Sequence, residues 1–325
     1  MKNYLKHYSA TSTSRFLECE QKFHYEYVQG YRSIGKGGGL KTGIIMHIAE
    51  EAYWRKETID RAIDLAEKAA ALEGWSQEDP LFMARIRAYI QGYYHRWAEQ
   101  DKDTFLNPER YSILGWELEF EYMIDGNRFI GKMDAVLHDI DRDIILLVEH
   151  KNTSRKNSQD LSSSYYQILP MDTQLNIYAD YLYKTYNLPV HVLYDVVTTS
   201  PATKPGGKKK IARRKSETNE EFQQRKIDNI ESVDEFEKRM VHNYTNTPIN
   251  FTRKEIPILG HTRDRKIAEI AQIVIQINEL GRTERPPVRN TNSCSNYGGC
   301  EFFNCCIGTE RVEESHKFTN IKEDR

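Results

Sequence analysis

Apolar side chains in the first third of the chain recur three or four positions apart, as on one face of a helix. Residues 40–53, 59–72 and 80–99 each show this period. Hydroxyl residues at 12–14 can cap an earlier helix, and the glycine-rich segment 30–39 connects that helix to the others. The pattern predicts that the chain up to about residue 110 is a layer of helices.

The period changes from helix to strand near residue 111. Apolar and acidic residues alternate over 116–122, and Asp125-Gly126 is typical of a two-residue hairpin turn. Residues 128–137 form a returning strand, and residues 144–148 are an unbroken apolar run of the kind found in strands that are buried on both faces. Three linked antiparallel strands are predicted.

The remaining pattern completes a mixed sheet. A helix at 172–186 leads to a strand at 190–198, helices are predicted at 220–243 and 263–280, and a last strand at 249–256. The fold class is therefore α/β (α+β), with a mixed central β-sheet flanked by helices. The expected units are a helical N-terminal layer at 1–110, a core at 111–260, a C-terminal helix with a cysteine loop at 261–308, and a fraying polar tail at 309–325.

Composition narrows the class of protein. Of 325 residues, 39% are hydrophobic and 29% are charged, as in a globular protein. The chain has no run of about 18 apolar residues, and its start lacks the apolar core of a signal peptide, so a cytoplasmic protein without membrane association is expected. The net charge of -2 argues against attraction of nucleic acid by the whole molecule, so any basic surface must be local.

Charged residues directly follow the apolar run 144–148. Side chains at i and i+2 of a strand share a face, so Glu149 and Lys151 point the same way and His150 points opposite. The hairpin can bring Asp134 beside Glu149, and two close carboxylates need a cation such as Mg²⁺ or Mn²⁺ to neutralise them. The alternative is ordinary surface charge, but a position at the mouth of a buried strand favours a site.

Five short motifs follow one another along the chain. They are an opening helix around Cys19, the segment from Gly43 to His47, the strand Gly131-Lys132-Met133-Asp134, the triplet Glu149-His150-Lys151, and a helix that carries Gln174 and Tyr178. In this order they resemble the PD-(D/E)XK nuclease superfamily, specifically its RecB-like branch. The resemblance implies a restriction-endonuclease-like core.

The resemblance also implies roles for these residues. His47 would join Asp134, Glu149 and the carbonyl of His150 as metal ligands, and its nitrogen makes Mn²⁺ a good alternative to Mg²⁺. Lys151 would stabilise charge or position the water, and Gln174 and Tyr178, which share a helix face, would assist it. Ordinary helix packing is the alternative for His47, Gln174 and Tyr178.

Cysteines are concentrated near the end of the chain. Cys294, Cys300, Cys305 and Cys306 have the density of metal ligands, and Cys19 lies far upstream. AddB-type and CRISPR-adaptation-type nucleases of the RecB-like branch use one early and three late cysteines around a 4Fe-4S cluster, and this layout is similar. The resemblance implies Cys19, Cys294, Cys300 and Cys306 as ligands, with Cys305 as the alternative to Cys306 and structural Zn²⁺ as the alternative cofactor. Such a site would clasp the first helix to the last segment.

A basic insertion at 200–216 separates the last two predicted strands. It can follow a phosphate backbone, although a passive solvated loop is the alternative. Arg253 is a further candidate for phosphate contact. The basic residues of the insertion are Lys208, Lys209, Lys210, Arg213, Arg214 and Lys215.

Together these features predict a metal-dependent deoxyribonuclease that hydrolyses phosphodiester bonds with a metal-activated water. An exonuclease is favoured over an endonuclease, with single-stranded DNA or free ends as substrate, in recombination, repair or end processing of bacterial or phage DNA. The sequence has no G-x-x-x-x-G-K-[ST] motif, so a helicase or recombination partner is expected to open duplexes. The alternatives are a catalytically silent DNA-end-binding protein and a scaffold organised by the cysteine clasp.

Overall fold

The computed structural model of the protein describes residues 4–35, 37–199, 206, 212–214, 216–283, 285–296 and 299–321. Its strands are β1 (Tyr31–Ser33), β2 (Tyr111–Ile124), β3 (Asn127–Asp139), β4 (Ile144–Thr153), β5 (Val190–Thr198), β6 (Phe251–Pro257) and β7 (Phe318–Asn320). In this part of the chain, β2 to β6 form one sheet in chain order. Only β4 and β5 are parallel within that sheet, and the predicted mixed sheet is confirmed.

Helices cover both faces of this sheet. They are α1 (Ala10–Glu18), α2 (Glu20–Phe23), α3 (Gly38–Trp54), α4 (Ile59–Leu72), α5 (Trp75–Glu78), α6 (Pro80–Lys102), α7 (Ser164–Gln167), α8 (Thr173–Tyr186), α9 (Asn219–Asp228), α10 (Val233–Asn246), α11 (Gly260–Thr283) and α12 (Phe303–Cys306). Thr58, Asp79 and Asp172 cap the starts of α4, α6 and α8 by accepting backbone N–H bonds. These caps explain why helices that sequence periodicity predicts begin where they do.

Two apolar cores lie on the two faces of the sheet. Side chains of α3, α4, α6 and α10 pack against one face, and side chains of α1, α8 and α11 pack against the other. The run Ile144–Val148 of β4 contributes to both cores, which explains its unbroken apolar sequence. No helix in the described residues has both the length and the apolarity that crossing a bilayer requires.

The turn at Asp125-Gly126 sets the register of the hairpin. Both residues have positive φ, 47° and 74°, as a type I′ turn requires. The register that starts at this turn places Glu117 of β2 opposite Asp134 of β3. The register of β3 with β4 places Asp134 opposite Glu149. A row of carboxylates across the sheet results.

The structure corrects several predicted elements. The glycine-rich connection contains β1, which pairs with β7, so the segment that was expected to fray is ordered as far as this strand. The single helix predicted at 220–243 is two helices, because Ser232 and Glu235 form a capping box that starts α10. The last strand of the sheet begins at Phe251 rather than at residue 249.

Candidate active site

Asp134, Glu149 and Lys151 meet where β3 and β4 leave the buried centre of the sheet. The backbone N–H of His150 donates to Asp134 Oδ2 at 2.8 Å, and Lys151 Nζ donates to Glu149 Oε1. The ring of His150 points the other way, with Nδ1 3.5 Å from an Asp195 carboxylate oxygen. The alternation of faces predicted for this triplet is therefore present.

Helix α8 brings two polar side chains to the same carboxylate. Gln174 Nε2 donates to Glu149 Oε1 at 3.0 Å and to the Tyr178 hydroxyl at 3.2 Å. That hydroxyl donates to the carbonyl of Lys132 at 2.9 Å. A Cβ atom at Gly131 would lie 3.0 Å from the Tyr178 ring, so a glycine at this position lets the ring approach β3.

Helix α3 places His47 beside Asp134. The distance from His47 Nδ1 to Asp134 Oδ1 is 3.4 Å. Glu117 of β2 joins them, and one ligand atom from each of the three residues lies within 4.8 Å of the other two. The structure thus groups Glu117 with His47 and Asp134, and among the described residues Glu149 is not part of this close group.

Sequence reasoning missed Glu117 because it stands in a run of alternating apolar and acidic residues, where nothing local sets it apart from Glu119 and Glu121. A signal was available, since Glu117 and Asp134 are equally far from the two-residue turn at Asp125-Gly126. Such a turn sets which residues face each other across a hairpin.

Burial and charge shape the ionisation of the site. Burial raises the pKa of Glu149. Burial also opposes the charge on Asp134, but hydrogen bonding to His47 and the charge of His150 lower the pKa of Asp134 to about 2. For His47, the effect of burial is outweighed by Asp134 and the other nearby carboxylates, which raise its pKa to about 9. Glu149 and Asp134 likewise outweigh burial and raise the pKa of Lys151.

The donor set fits a hard divalent cation. Glu149 Oε2 is buried and has no hydrogen-bond partner, while Oε1 of the same carboxylate accepts from Lys151 and Gln174. Carboxylate oxygens with one imidazole nitrogen suit Mg²⁺ and Mn²⁺. A cation would give the unpartnered oxygen a favourable contact and would offset the repulsion between Asp134 and Glu149.

Arg253 lies in the interior, not on a DNA-facing surface. Its side chain is 5% exposed. Its guanidinium donates to Asp195 at 2.9 Å, to Asp101 at 2.5 Å and to the Tyr93 hydroxyl at 2.8 Å, and it stacks over the Trp97 ring at 4.2 Å. The prediction that Arg253 contacts phosphate is wrong, because this guanidinium is sequestered beneath α6.

The start and the end of the chain meet at the cysteines. Cys19 lies between α1 and α2, and its Sγ accepts from the backbone N–H of Asn290 at 3.5 Å. Glu20 forms an ion pair with Arg285 at 2.7 Å. The early helix and the late loop are therefore neighbours, as a clasp requires.

Three other thiols contribute to the pKa of Cys306, and none of them is a main contribution to the pKa of Cys305. Burial raises the pKa of Cys306 to about 11, and Cys300, Cys19 and Cys294 add to this rise. Burial also raises the pKa of Cys305, but the next contribution comes from a glutamate, not from another thiol. This arrangement favours Cys306 over Cys305 as a member of the group.

Most of the basic insertion lies outside the described residues, including Lys208, Lys209, Lys210 and Lys215. Arg213 and Arg214 are described and exposed. The guanidinium of Arg213 donates to the carbonyl of Glu217, and the backbone N–H of Arg214 donates to the Glu217 carboxylate. These two arginines are held at the start of the segment that leads into α9.

Comparison with known proteins agrees with this geometry. The sequence model described as the PD-(D/E)XK nuclease superfamily matches residues 7–307. No curated protein matches the chain. Among solved structures, the chain is similar to the crystal structure of "Putative exonuclease" from Eubacterium rectale, with 11% identity, a TM-score of 0.49, and coverage of 94% of this chain and 88% of that chain. The superfamily match extends from before Cys19 to beyond Cys306.

Proposed function

Because the chain belongs to the PD-(D/E)XK nuclease superfamily, we propose that it is a metal-dependent deoxyribonuclease that acts on free or single-stranded DNA ends. The observation that carries this proposal is the buried, unpartnered Oε2 of Glu149 beside Asp134 and Lys151. A buried carboxylate oxygen without a partner costs several kcal/mol unless something binds it. A divalent cation is the ligand that this donor set favours.

The proposed cation ligands are the side chains of His47, Asp134 and Glu149 and the backbone carbonyl of His150. Their elements α3, β3 and β4 are packed into the two cores, so these groups are held in place before any ligand arrives. When bound, Mg²⁺ or Mn²⁺ lowers the pKa of a water molecule and neutralises charge on the phosphate.

The other polar residues prepare the site for the phosphate. Lys151 stays protonated at neutral pH, because Glu149 and Asp134 raise its pKa, and so it supplies positive charge where a phosphate approaches. Gln174 holds Glu149 through Oε1, which leaves Oε2 free. Tyr178 ties Gln174 to the backbone of β3 and orients it.

The test is degradation of end-labelled linear DNA, single-stranded and double-stranded, in Mn²⁺ or Mg²⁺, with circular DNA of the same sequence as comparison. An exonuclease shortens linear DNA from its ends and spares covalently closed circles. Asp134→Ala and Glu149→Ala should each abolish the activity, and Lys151→Ala should lower its rate by at least about 100-fold. Glu121→Gln, an exposed glutamate of β2 that pairs with Arg128, is the matched control.

Three results would contradict the proposal. Robust cleavage by any of the three alanine variants would remove the site from the reaction. Cleavage of circles at the same rate as linear DNA would establish an endonuclease. Binding to DNA ends without cleavage in either metal would identify a silent end-binding protein instead.

We also propose that Cys19, Cys294, Cys300 and Cys306 hold a 4Fe-4S cluster, as in the RecB-like branch. The contact of Cys19 Sγ with the backbone N–H of Asn290 supports a site shared by the early and the late cysteines, with structural Zn²⁺ as the alternative cofactor.

Anaerobic purification followed by iron and sulfide analysis and visible absorption tests this assignment. The wild-type protein and Cys305→Ala should be brown, and Cys294→Ala should lose both the colour and part of the thermal stability. A colourless wild-type protein with stoichiometric zinc would favour the zinc alternative.

For the basic insertion we propose contact with the DNA backbone. Neutral replacement of Lys208, Lys209, Lys210, Arg213, Arg214 and Lys215 should weaken binding and reduce the slope of log affinity against log salt. Unchanged binding would mean a passive loop. A helicase or recombination protein remains the proposed source of opened ends, and pull-down with purified candidates tests it.

A further inference from the structure

We propose that Glu117 is a further ligand of the divalent cation at Asp134, and that Lys132 neutralises Glu117 while the cation is absent. The inference rests on the metal-dependent function proposed above. It adds a residue that the sequence motifs of the site do not include.

The first support is the geometry of the three side chains. Ligand atoms of Glu117, Asp134 and His47 lie within 4.8 Å of one another. Oxygen ligands on opposite sides of a magnesium ion, at about 2.1 Å each, are roughly 4.2 Å apart. The three groups are therefore close to the separation that a shared ion imposes.

A second support comes from Glu149, in the same row of the sheet. Its Oε2 atom is buried without a partner. Asp134 and His47 are near enough for their charges to shift the pKa of Glu149. Glu117 is thus grouped with His47 and Asp134, the two residues whose charges reach the unsatisfied Glu149 carboxylate.

The backbone at Glu117 has an unusual conformation. Its φ is 46°, in the left-handed region, in the middle of β2. A non-glycine residue pays about 1 to 2 kcal/mol for this conformation. The residues on either side, Trp116 and Leu118, pair regularly with β3, so the distortion is confined to the position that faces Asp134.

Lys132 explains how Glu117 is neutralised without a cation. Its ammonium group forms an ion pair with the Glu117 carboxylate, and its side chain is about half exposed. An exposed lysine can turn away into solvent at little cost, since such pairs are worth at most about 1 kcal/mol. A divalent cation can therefore replace it.

The competing explanation is that Glu117 is only the counter-ion of Lys132. A double-mutant cycle on the full-length protein separates the two explanations. Mn²⁺ binding is measured by electron paramagnetic resonance of the free ion for wild type, E117Q, K132Q and E117Q/K132Q. E119Q, an exposed glutamate two residues further on β2, is the matched control. Mn²⁺ prefers carboxylate and imidazole over thiolate, so the cysteines do not compete.

If Glu117 is a ligand, E117Q weakens Mn²⁺ binding at least about 10-fold. K132Q and E119Q then bind Mn²⁺ no more than about threefold more weakly than wild type does. The double variant E117Q/K132Q binds Mn²⁺ as weakly as E117Q does. Equal binding by E117Q and wild type would overturn the inference. Recovery of wild-type binding in E117Q/K132Q, where the net charge is restored, would overturn it as well.

E117G provides a second variant should E117Q fold poorly. Glycine accepts positive φ without strain, so E117G should be at least as stable as wild type and still bind Mn²⁺ weakly. Wild-type Mn²⁺ affinity in a folded E117G would also overturn the inference. DNA degradation is measured separately. If the variants show the expected pattern of Mn²⁺ binding but the wild type does not cleave DNA, the proposed function is contradicted. If the wild type cleaves DNA but E117Q binds Mn²⁺ as tightly as wild type, only the role of Glu117 is contradicted.

Discussion

Two groups of charged side chains contact His150 of β4 from opposite sides and differ in how accessible they are. The carboxylate cluster comprises Asp134, Glu149 and Lys151. The arginine cluster comprises Arg253, Asp195 and Asp101. Each guanidinium nitrogen of Arg253 donates to an acceptor. Each cluster keeps one buried carboxylate oxygen without a hydrogen-bond partner, Asp195 Oδ1 and Glu149 Oε2, so the two differ in their cations and in what surrounds them.

This difference shows how buried charge can be sorted into structural and functional kinds. Arg253 is enclosed by aromatic rings and carboxylates, so nothing outside the protein can reach it. The carboxylate cluster includes Lys151 and borders His47, and both of these side chains are partly exposed. An unsatisfied oxygen that lies beside accessible groups is open to a ligand, and a fully paired cation in the core holds helices to the sheet.

The largest effect is expected from Arg253→Met. Loss of one member of a buried charge network leaves the others unpaired and destabilises by about 3–5 kcal/mol. Urea unfolding measures this change. Under conditions where the variant is folded, the salt dependence of DNA binding should equal that of wild type, because Arg253 does not reach phosphate. A slope reduced by about one would contradict its burial.

The matching change in the carboxylate cluster is Lys151→Ala. Removing a charged group that stabilises developing negative charge typically costs about 10²- to 10³-fold in rate. Initial rates of nucleotide release measure the loss. The free energy of unfolding should change less than in Arg253→Met. If the loss of cleavage rate were explained by a loss of folded protein, Lys151 would have a structural role and not a role in the reaction.

Gly131→Ala tests the packing that connects the site to α8. A Cβ atom there would lie 2.6 Å from the Phe120 ring and 3.0 Å from the Tyr178 ring. Overpacking of this kind costs about 1–3 kcal/mol, and displacement of Tyr178 should also lower activity. Gly43→Ala in α3 is the control, since nothing lies within 4 Å of its Cβ position and helix propensity favours alanine by up to about 1 kcal/mol.

The smallest effect concerns acid stability. Burial opposes the charge on Asp195, but Arg253 and His150 lower its pKa. A folded pKa below the unfolded value of about 3.9 means that Asp195 stabilises the fold above that pH. This contribution is lost as the pH falls through the folded pKa. Asp195→Asn should therefore make the free energy of unfolding decrease less steeply with falling pH below about pH 4. An unchanged dependence on pH would contradict the lowered pKa of Asp195.

Sequence patterns predicted much of the fold. The strand at 190–198 and the helix at 59–72 have the predicted bounds, because their signals are local: a β-branched run and an apolar helical period after a capping threonine. The helix at 220–243 was predicted without its break, because the capping box at Ser232 was not recognised. Local sequence signals therefore predicted the bounds of an element correctly where all of them, including the helix caps, were recognised.

The predictions for the two charge clusters also depended on whether a local signal was present. Asp134, Glu149 and Lys151 were found from their place beside a buried strand, and Glu117 could have been found from the hairpin turn. Arg253 was misplaced, since its partners Asp101 and Tyr93 lie on a helix more than a hundred residues earlier. No local pattern tells which arginine a distant helix will cover.

Sequence alone is enough to place β2 to β6 and the Asp125-Gly126 turn, and with them the row of carboxylates across β2, β3 and β4, because hairpin register depends on a few neighbouring residues. Tertiary structure was needed to bring His47 to Asp134, to bury Arg253 and to place Cys19 beside the late cysteine loop. Each of these depends on the packing of elements far apart in the chain, where burial and charge are set by partners that local sequence does not specify.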